Sequence, residues 1–314
     1  PQITQDSLSK TTHIVSSAGV EPIQKAIEAG ADVILVGRAT DTALIAALPL
    51  LNNAHKGASW HAAKIAECGA FCSTNPSSGV IFVEVDETGF TVEAMAQNAL
   101  CTPETVAAHM LYENADPFIL LEPGGHLDVT DATYTALDER RVRVEGSRWH
   151  SSDTYTVKLE AAKLSGYQTT LLTIVREPNY VAHIDDWIEK LSRICNTKIK
   201  QSMTNSKSTH SIDFRVIGKN AVLGELEFSE SLAPELGVLV IVTADSQGEA
   251  DDIAMLINPY LLHLPLSEDE PIPTTAFAYS PANSSRGAFF EFALNHIMKL
   301  EKPCDGFPLI IDEV

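Results

Sequence analysis

Apolar residues recur along this chain with two different periods, and the places where the period changes mark its elements. Residues 13–36 begin with a short strand (HIVSS), pass through a helix whose Val20, Ile23, Ala26 and Ile27 share one face, and end in an apolar run at 33–36 closed by Gly37. An unalternated run that short predicts a strand covered on both faces, as in a parallel sheet. Thr40 and Asp41 stand where a cap is wanted before an apolar helix reaching about Leu48, and a second helix is expected from Ser59 to about Cys72. The alternating segments VIFVEVDE and GFTVEAM predict a hairpin turning near Gly89. Thr102 followed by Pro103 and Glu104 opens a helix to about Glu113, after which residues 117–159 read mainly as strands.

A second pattern starts near residue 160. The strand YQTTLLTIV precedes a helix marked by Ile184, Trp187, Ile188, Leu191 and Ile194; then come the strands SIDFRVIG and GVLVIVTAD, a helix through Ile253, Leu256, Ile257 and Tyr260, and the strand FFEFALNHIM. The order β-α-β-β-α-β is that of a split βαβ domain. The expected fold class is therefore α/β: an N-terminal mixed α/β domain with parallel strands over 1–160, followed by a ferredoxin-like (split βαβ) α+β domain over 161–314. A chain of 314 residues agrees with two domains at about 150 residues each.

Charge narrows the partners. With 22 Lys and Arg against 42 Asp and Glu the formal charge is −20, a field that repels phosphate backbones and anionic lipid, so neither nucleic acid nor a membrane is expected as a partner. Five cysteines form no disulfide ladder and suggest free thiols in a reducing compartment. No apolar run approaches the ~18 residues of a membrane span, and the polar start lacks a signal-peptide core, which predicts a cytoplasmic protein. The first residue is Pro, so a processed chain or a piece of a longer one is expected, and a homo-oligomer is anticipated.

Candidate chemistry rests on constellations. The chain has no P-loop, no dinucleotide fingerprint after a strand, no HExxH, no GxSxG and no CxxC pair. No cofactor is indicated by motif, and a divalent metal stays open. In GRATDTA, Arg38, Thr40 and Thr42 could bind an anion at a helix N-terminus with Asp41 as a catalytic carboxylate, or Thr40 or Asp41 simply caps the helix while Arg38 forms an ion pair. His61, near Lys64 and Glu67, is either a general base or a satisfied core histidine. In EPGGHLD, Glu122, His126 and Asp128 could move protons or hold a metal, with Gly124 and Gly125 offering backbone N–H groups to an oxyanion; the alternative is a hairpin turn that needs its glycines for positive φ. Arg148 belongs to a small basic cluster with Arg140, Arg141 and Arg143, which binds an acidic substrate or pairs with surface carboxylates. His109, His126 and Asp128 are the metal candidates.

The strings GVEPIQKAIEAGADVILVGRATDTA, WHAAKIAECGA, CTPETVAAHMLYENADPF, PGGHLDVTDA and DERRVRVEGSRW occur in order, followed by ELGVLVIVTADSQGEADDIA and YSPANSSRGAFFEFALNHIM. Together they resemble the AtuA-type acyclic terpene utilisation family. The resemblance implies a further α/β region before the segment at Gly19, supplied by missing sequence or a separate chain, and a small companion domain as a partner. It also implies metabolism of small carboxylic acids or their CoA thioesters. The expected activity is that of a lyase or hydratase in which Arg38 and Thr42 hold a carboxylate and His61, Glu122 or His126 moves protons. The alternatives are a non-catalytic scaffold subunit of a catabolic complex and a metal-dependent lyase or hydrolase.

Overall fold

The computed structural model describes residues 4–9, 11–202, 209–229, 231 and 233–312. By its contacts the chain divides into two units, one of His13–Ala161 with Ala293–Val314, the other of Pro1–Thr12 with Ala162–Phe292.

The first unit follows many of the local sequence signals. Helix α1 (Gln5–Ser9) belongs to the other unit and β1 (Thr11–Ser16) runs across the boundary at Thr12; helix α2 (Glu21–Glu28) then buries Ile23 and Ala26. Helix α3 (Asp41–Leu51) is capped by Thr40, whose hydroxyl accepts from the Ala43 N–H at 3.3 Å. Helix α4 (Lys56–Ala66) is capped by His55, and Gly69–Cys72 continues it only as a 3-10 turn. Strands β2 (Ile81–Val85) and β3 (Gly89–Ala94) form the expected hairpin. Thr102 caps α5 (Pro103–His109) reciprocally with Thr105, which satisfies donors that a helix start otherwise leaves bare. Strands β4 (Ile119–Glu122), β5 (Gly125–Asp128), β6 (Thr133–Ala136), β7 (Arg141–Glu145) and β8 (Arg148–Ser151) complete two antiparallel sheets, ordered β2-β3-β7-β6 and β4-β5-β8. Ile65, Phe90, Val142 and Leu127 fill the core of this unit, and Trp60 stacks on Trp149 at 4.9 Å between ring centres.

In the other unit, the long strand β9 (Thr156–Val175) leads to α6 (Pro178–Ala182) and α7 (Ile184–Ser202), then β10 (His210–Ile217), β11 (Leu236–Ala244), α8 (Gln247–His263), β12 (Thr275–Phe277) and β13 (Ser284–Lys299). Trp187, Leu191, Leu171, Ile253 and Ile257 are its buried centre. The unit boundaries fall inside β9 and β13.

Two fold expectations are corrected. The parallel N-terminal domain is not formed: all pairings with a described register are antiparallel, and one isolated parallel bridge joins Ala18 to Ala39. Residues 33–36 form no strand, and Val33 and Leu35 are 78% and 94% exposed. Their apolar character makes a strand only where a neighbouring strand pairs with them, and no backbone hydrogen bond of 32–37 is made among the described residues. The ferredoxin-like domain is replaced by a larger antiparallel sheet, ordered β1-β9-β11-β10 with β12 and β13 also pairing β9. The length of β9 is the reason, because twenty residues offer pairing positions for more partners than a four-stranded domain uses.

Candidate active site

The site is built where the α3 N-terminus meets the end of β4, within the first unit. Glu122 is the last residue of β4, joined to β5 through Pro123 and Gly124. Gly124 adopts φ +83°, and a Cβ on Gly125 would lie 2.3 Å from the His150 carbonyl oxygen. Both glycines thus serve the hairpin itself, one as its left-handed residue and the other for close strand approach.

The hairpin carries Glu122 to the hydroxyl pair on α3. Thr42 donates to Glu122 Oε1, and Thr42 Oγ1 lies 3.1 Å from Thr40 Oγ1. Glu122 Oε2 is buried without any hydrogen-bond partner. Burial pushes the Glu122 carboxyl up to about 7, against the Thr42 and Thr40 hydroxyls, which favour the charged form. A carboxyl held near neutrality with one oxygen tethered and the other bare has the protonation balance of a general acid–base.

Glu122 lines two cavities. The first, of about 710 Å³, has Thr40, Thr42, Lys64, Glu67 and Asp116 among its walls together with Ile119 and Leu120. The second, of about 430 Å³, is faced by Leu121, Pro123, Val157 and Ile297 together with His126 and Asn295. Thr40, Leu121, Glu122 and Lys158 belong to both. Lys64 is 5% exposed and its Nζ binds the Glu67 carboxylate. Burial raises the Glu67 carboxyl, and the Lys64 hydrogen bond works against that rise.

The other sequence candidates fall in several places. Asp41 and Thr42 line the first cavity, and His126 lines the second, its ring stacked on His150 at 4.8 Å. His61 lies in the core: Nδ1 shares a 2.7 Å hydrogen bond with Ser147, Nε2 lies 3.3 Å from the Tyr134 hydroxyl, and burial, with His109 adding to it, lowers its pKa to about 3. A neutral imidazole with both nitrogens engaged is a satisfied core residue. Arg38 pairs with Glu160 at 3.3 Å, and Arg148 with Asp131 at 2.8 Å, both arginines exposed. Arg143 makes two contacts of 2.6 and 2.8 Å to Asp86, which hold the Asp86 carboxyl well below the usual range. Of the metal candidates, His109 is buried with Nε2 unpartnered, while Asp128 lies 3.6 Å from His150. Among the described residues no three His, Cys, Asp or Glu side chains are placed to hold one ion.

Sequence patterns pass over Lys158, Glu113 and Asp116, and give Lys64 only a supporting part. The signal for Lys64 is present, since it is the one cation in the stretch Ala62, Ala63, Lys64, Ile65, all buried. Glu113, Asp116 and Lys158 are exposed and carry no such contrast.

A sequence model described as acyclic terpene utilisation family protein AtuA matches residues 3–268, leaving the string at 279–298 beyond the match. No curated protein and no solved structure matches the chain with significance. No helix among the described residues is long and apolar enough to cross a membrane.

Proposed function

The chain belongs to the acyclic terpene utilisation family, AtuA, and from that premise we propose that it is a lyase or hydratase of acyclic terpene and branched carboxylic acid breakdown. Glu122 is its acid–base. In the dehydrating direction Oε2 takes the proton from the carbon beside a carbonyl, those electrons form the new C=C bond, and the hydroxyl on the next carbon leaves with the proton as water. Hydration is the reverse. Negative charge that builds on the carbonyl oxygen is met by the Lys64 ammonium, which Glu67 holds in the cavity wall. Thr42 fixes Oε1, so that proton traffic runs through Oε2.

One observation carries this reading: a buried carboxyl, tied on one oxygen, bare on the other, and raised to about 7 beside a cavity. Proton exchange tests it, because abstraction beside the carbonyl occurs whether or not water is then lost. Acyl thioesters of N-acetylcysteamine incubated with the protein in D₂O should exchange the proton next to the carbonyl, followed by proton NMR. Glu122→Gln should slow that exchange by ~100-fold or more. Equal exchange by the variant and the wild type would remove Glu122 from the chemistry.

A further inference from the structure

Alternation along β4, β5 and β8 sorts their side chains onto two faces. Leu120, Leu127 and Trp149 take the core face. The opposite face carries a row set by the register: Leu121 stands opposite His126, and His126 opposite His150. The two imidazoles are cross-strand partners, with ring centres 4.8 Å apart and planes 17° from parallel. Directly opposed residues of an antiparallel pair hold their Cβ atoms ~4.5–5.5 Å apart, a separation from which two imidazoles turn onto one ion by side-chain rotation alone.

The pair is firmly mounted and chemically free. Trp149, next to His150 on the strand, is anchored beneath the sheet by its stack on Trp60, and Gly125 keeps β5 close to the His150 carbonyl. Among the described residues the one polar contact of either ring is between His150 Nε2 and Asp128 Oδ2, at 3.6 Å. Asp128 is itself fixed by the Thr130 N–H at 2.9 Å. A carboxylate in that place commonly orients a metal-bound histidine through the N–H that the metal does not use, which leaves the other His150 nitrogen for an ion. His150 is exposed and His126 faces the second cavity, so a hydrated ion can reach both rings. The chain's charge of −20 draws cations toward it. We propose that His126 and His150 chelate a divalent transition-metal ion of the zinc and nickel class, with water in the remaining positions. Two imidazole nitrogens suit such ions and discriminate against Mg²⁺, which takes oxygen ligands. The assignment gives His126 a metal-binding partner on another strand, and it stands apart from the role of Glu122.

Calorimetric titration of the full chain, first stripped with chelator, tests it with ZnCl₂ and NiCl₂, and with MgCl₂ beside them. Zinc and nickel should each bind at one equivalent, and magnesium should not. His126→Gln and His150→Gln should each weaken that binding by ~10-fold or more, since the loss of even an outer-shell partner costs ~10–100-fold. His183→Gln, at an exposed histidine of the other unit, should leave it unchanged. The wild-type protein gives a reading free of any effect of substitution on folding: substoichiometric Ni²⁺ should broaden the ring C–H resonances of two histidines ahead of the rest, each identified by its absence from one variant. Binding that survives either single variant, binding lost equally in His183→Gln, histidine resonances that all broaden alike, or no binding of zinc or nickel overturns the inference.

Discussion

Replacing Glu122 with Gln isolates the energetic consequence of burying this carboxyl. In the unfolded chain the group ionises near its ordinary 4.5, and in the folded protein near 7. At 1.36 kcal/mol for each pH unit between those values, ionising Glu122 in place destabilises the fold by about 3 kcal/mol. A raised carboxyl contributes stability that is fully present below 4.5 and lost as pH rises through 7. Gln keeps the shape and an oxygen for the Thr42 hydroxyl but cannot ionise, so wild type and variant should agree within about 1 kcal/mol at pH 5. By pH 9 the variant should be the more stable by up to about 3 kcal/mol. Urea unfolding at pH 5, 7 and 9, followed by fluorescence, measures this, with the stacked Trp60 and Trp149 reporting on the relevant unit. Taking the difference between the two proteins cancels the many other carboxylates of a chain with charge −20. A difference that stays flat from pH 5 to 9, or a variant that loses ground at pH 9, would refute both the raised pKa and the burial that causes it.

Three further outcomes follow from the same geometry. Thr42→Val removes the hydroxyl bonded to Oε1, so NMR titration of the Glu122 carboxyl carbon should give a pKa above the wild-type value, and a fall would contradict the tether. Gly125→Ala sets a methyl 2.3 Å from the His150 carbonyl oxygen and should cost about 2 kcal/mol or more in denaturant unfolding, whereas an unchanged midpoint would mean that β5 and β8 do not approach so closely. Val33→Lys with Leu35→Lys, at residues 78% and 94% exposed, should change stability by less than about 0.5 kcal/mol per site; a loss of several kcal/mol would restore the buried strand that the sequence suggested.

Local chemistry was the legible part of the fold. Thr40 and Thr102 mark helix starts because a hydroxyl just before an apolar-periodic run satisfies a bare N–H, and both were readable as caps. The hairpin over residues 80–95 was equally plain, since alternation and a Gly turn sit side by side. The failures concern pairing at a distance. The apolar run at 33–36 shows what a strand there would need, but its partner is not encoded within the run. The expected elements after residue 160 recur in sequence, with α6 and β12 added between them, and nothing local in β9 told how many strands its twenty residues would gather.

The site shows the same division. Glu122 could be nominated from EPGGHLD because carboxylates and glycines rarely crowd a turn without a reason, but the glycines proved to serve the turn. What raises Glu122 above its neighbour Asp128 is burial. Asp128 is held below the usual carboxylate range by the Thr130 hydroxyl and N–H, while Glu122 is enclosed and touches a hydroxyl eighty residues away. His61 takes the core alternative that its helix face also offered: a side chain on that face points inward, and inward here means Ser147, Tyr134 and Phe90 on three sides. Lys64 leaves the same helix three residues later and reaches the cavity wall, because its four-carbon stem can lie in the apolar layer while the ammonium extends past it to Glu67. The length of the side chain, more than its position on the helix, separates the residue that serves the core from the one that serves the site.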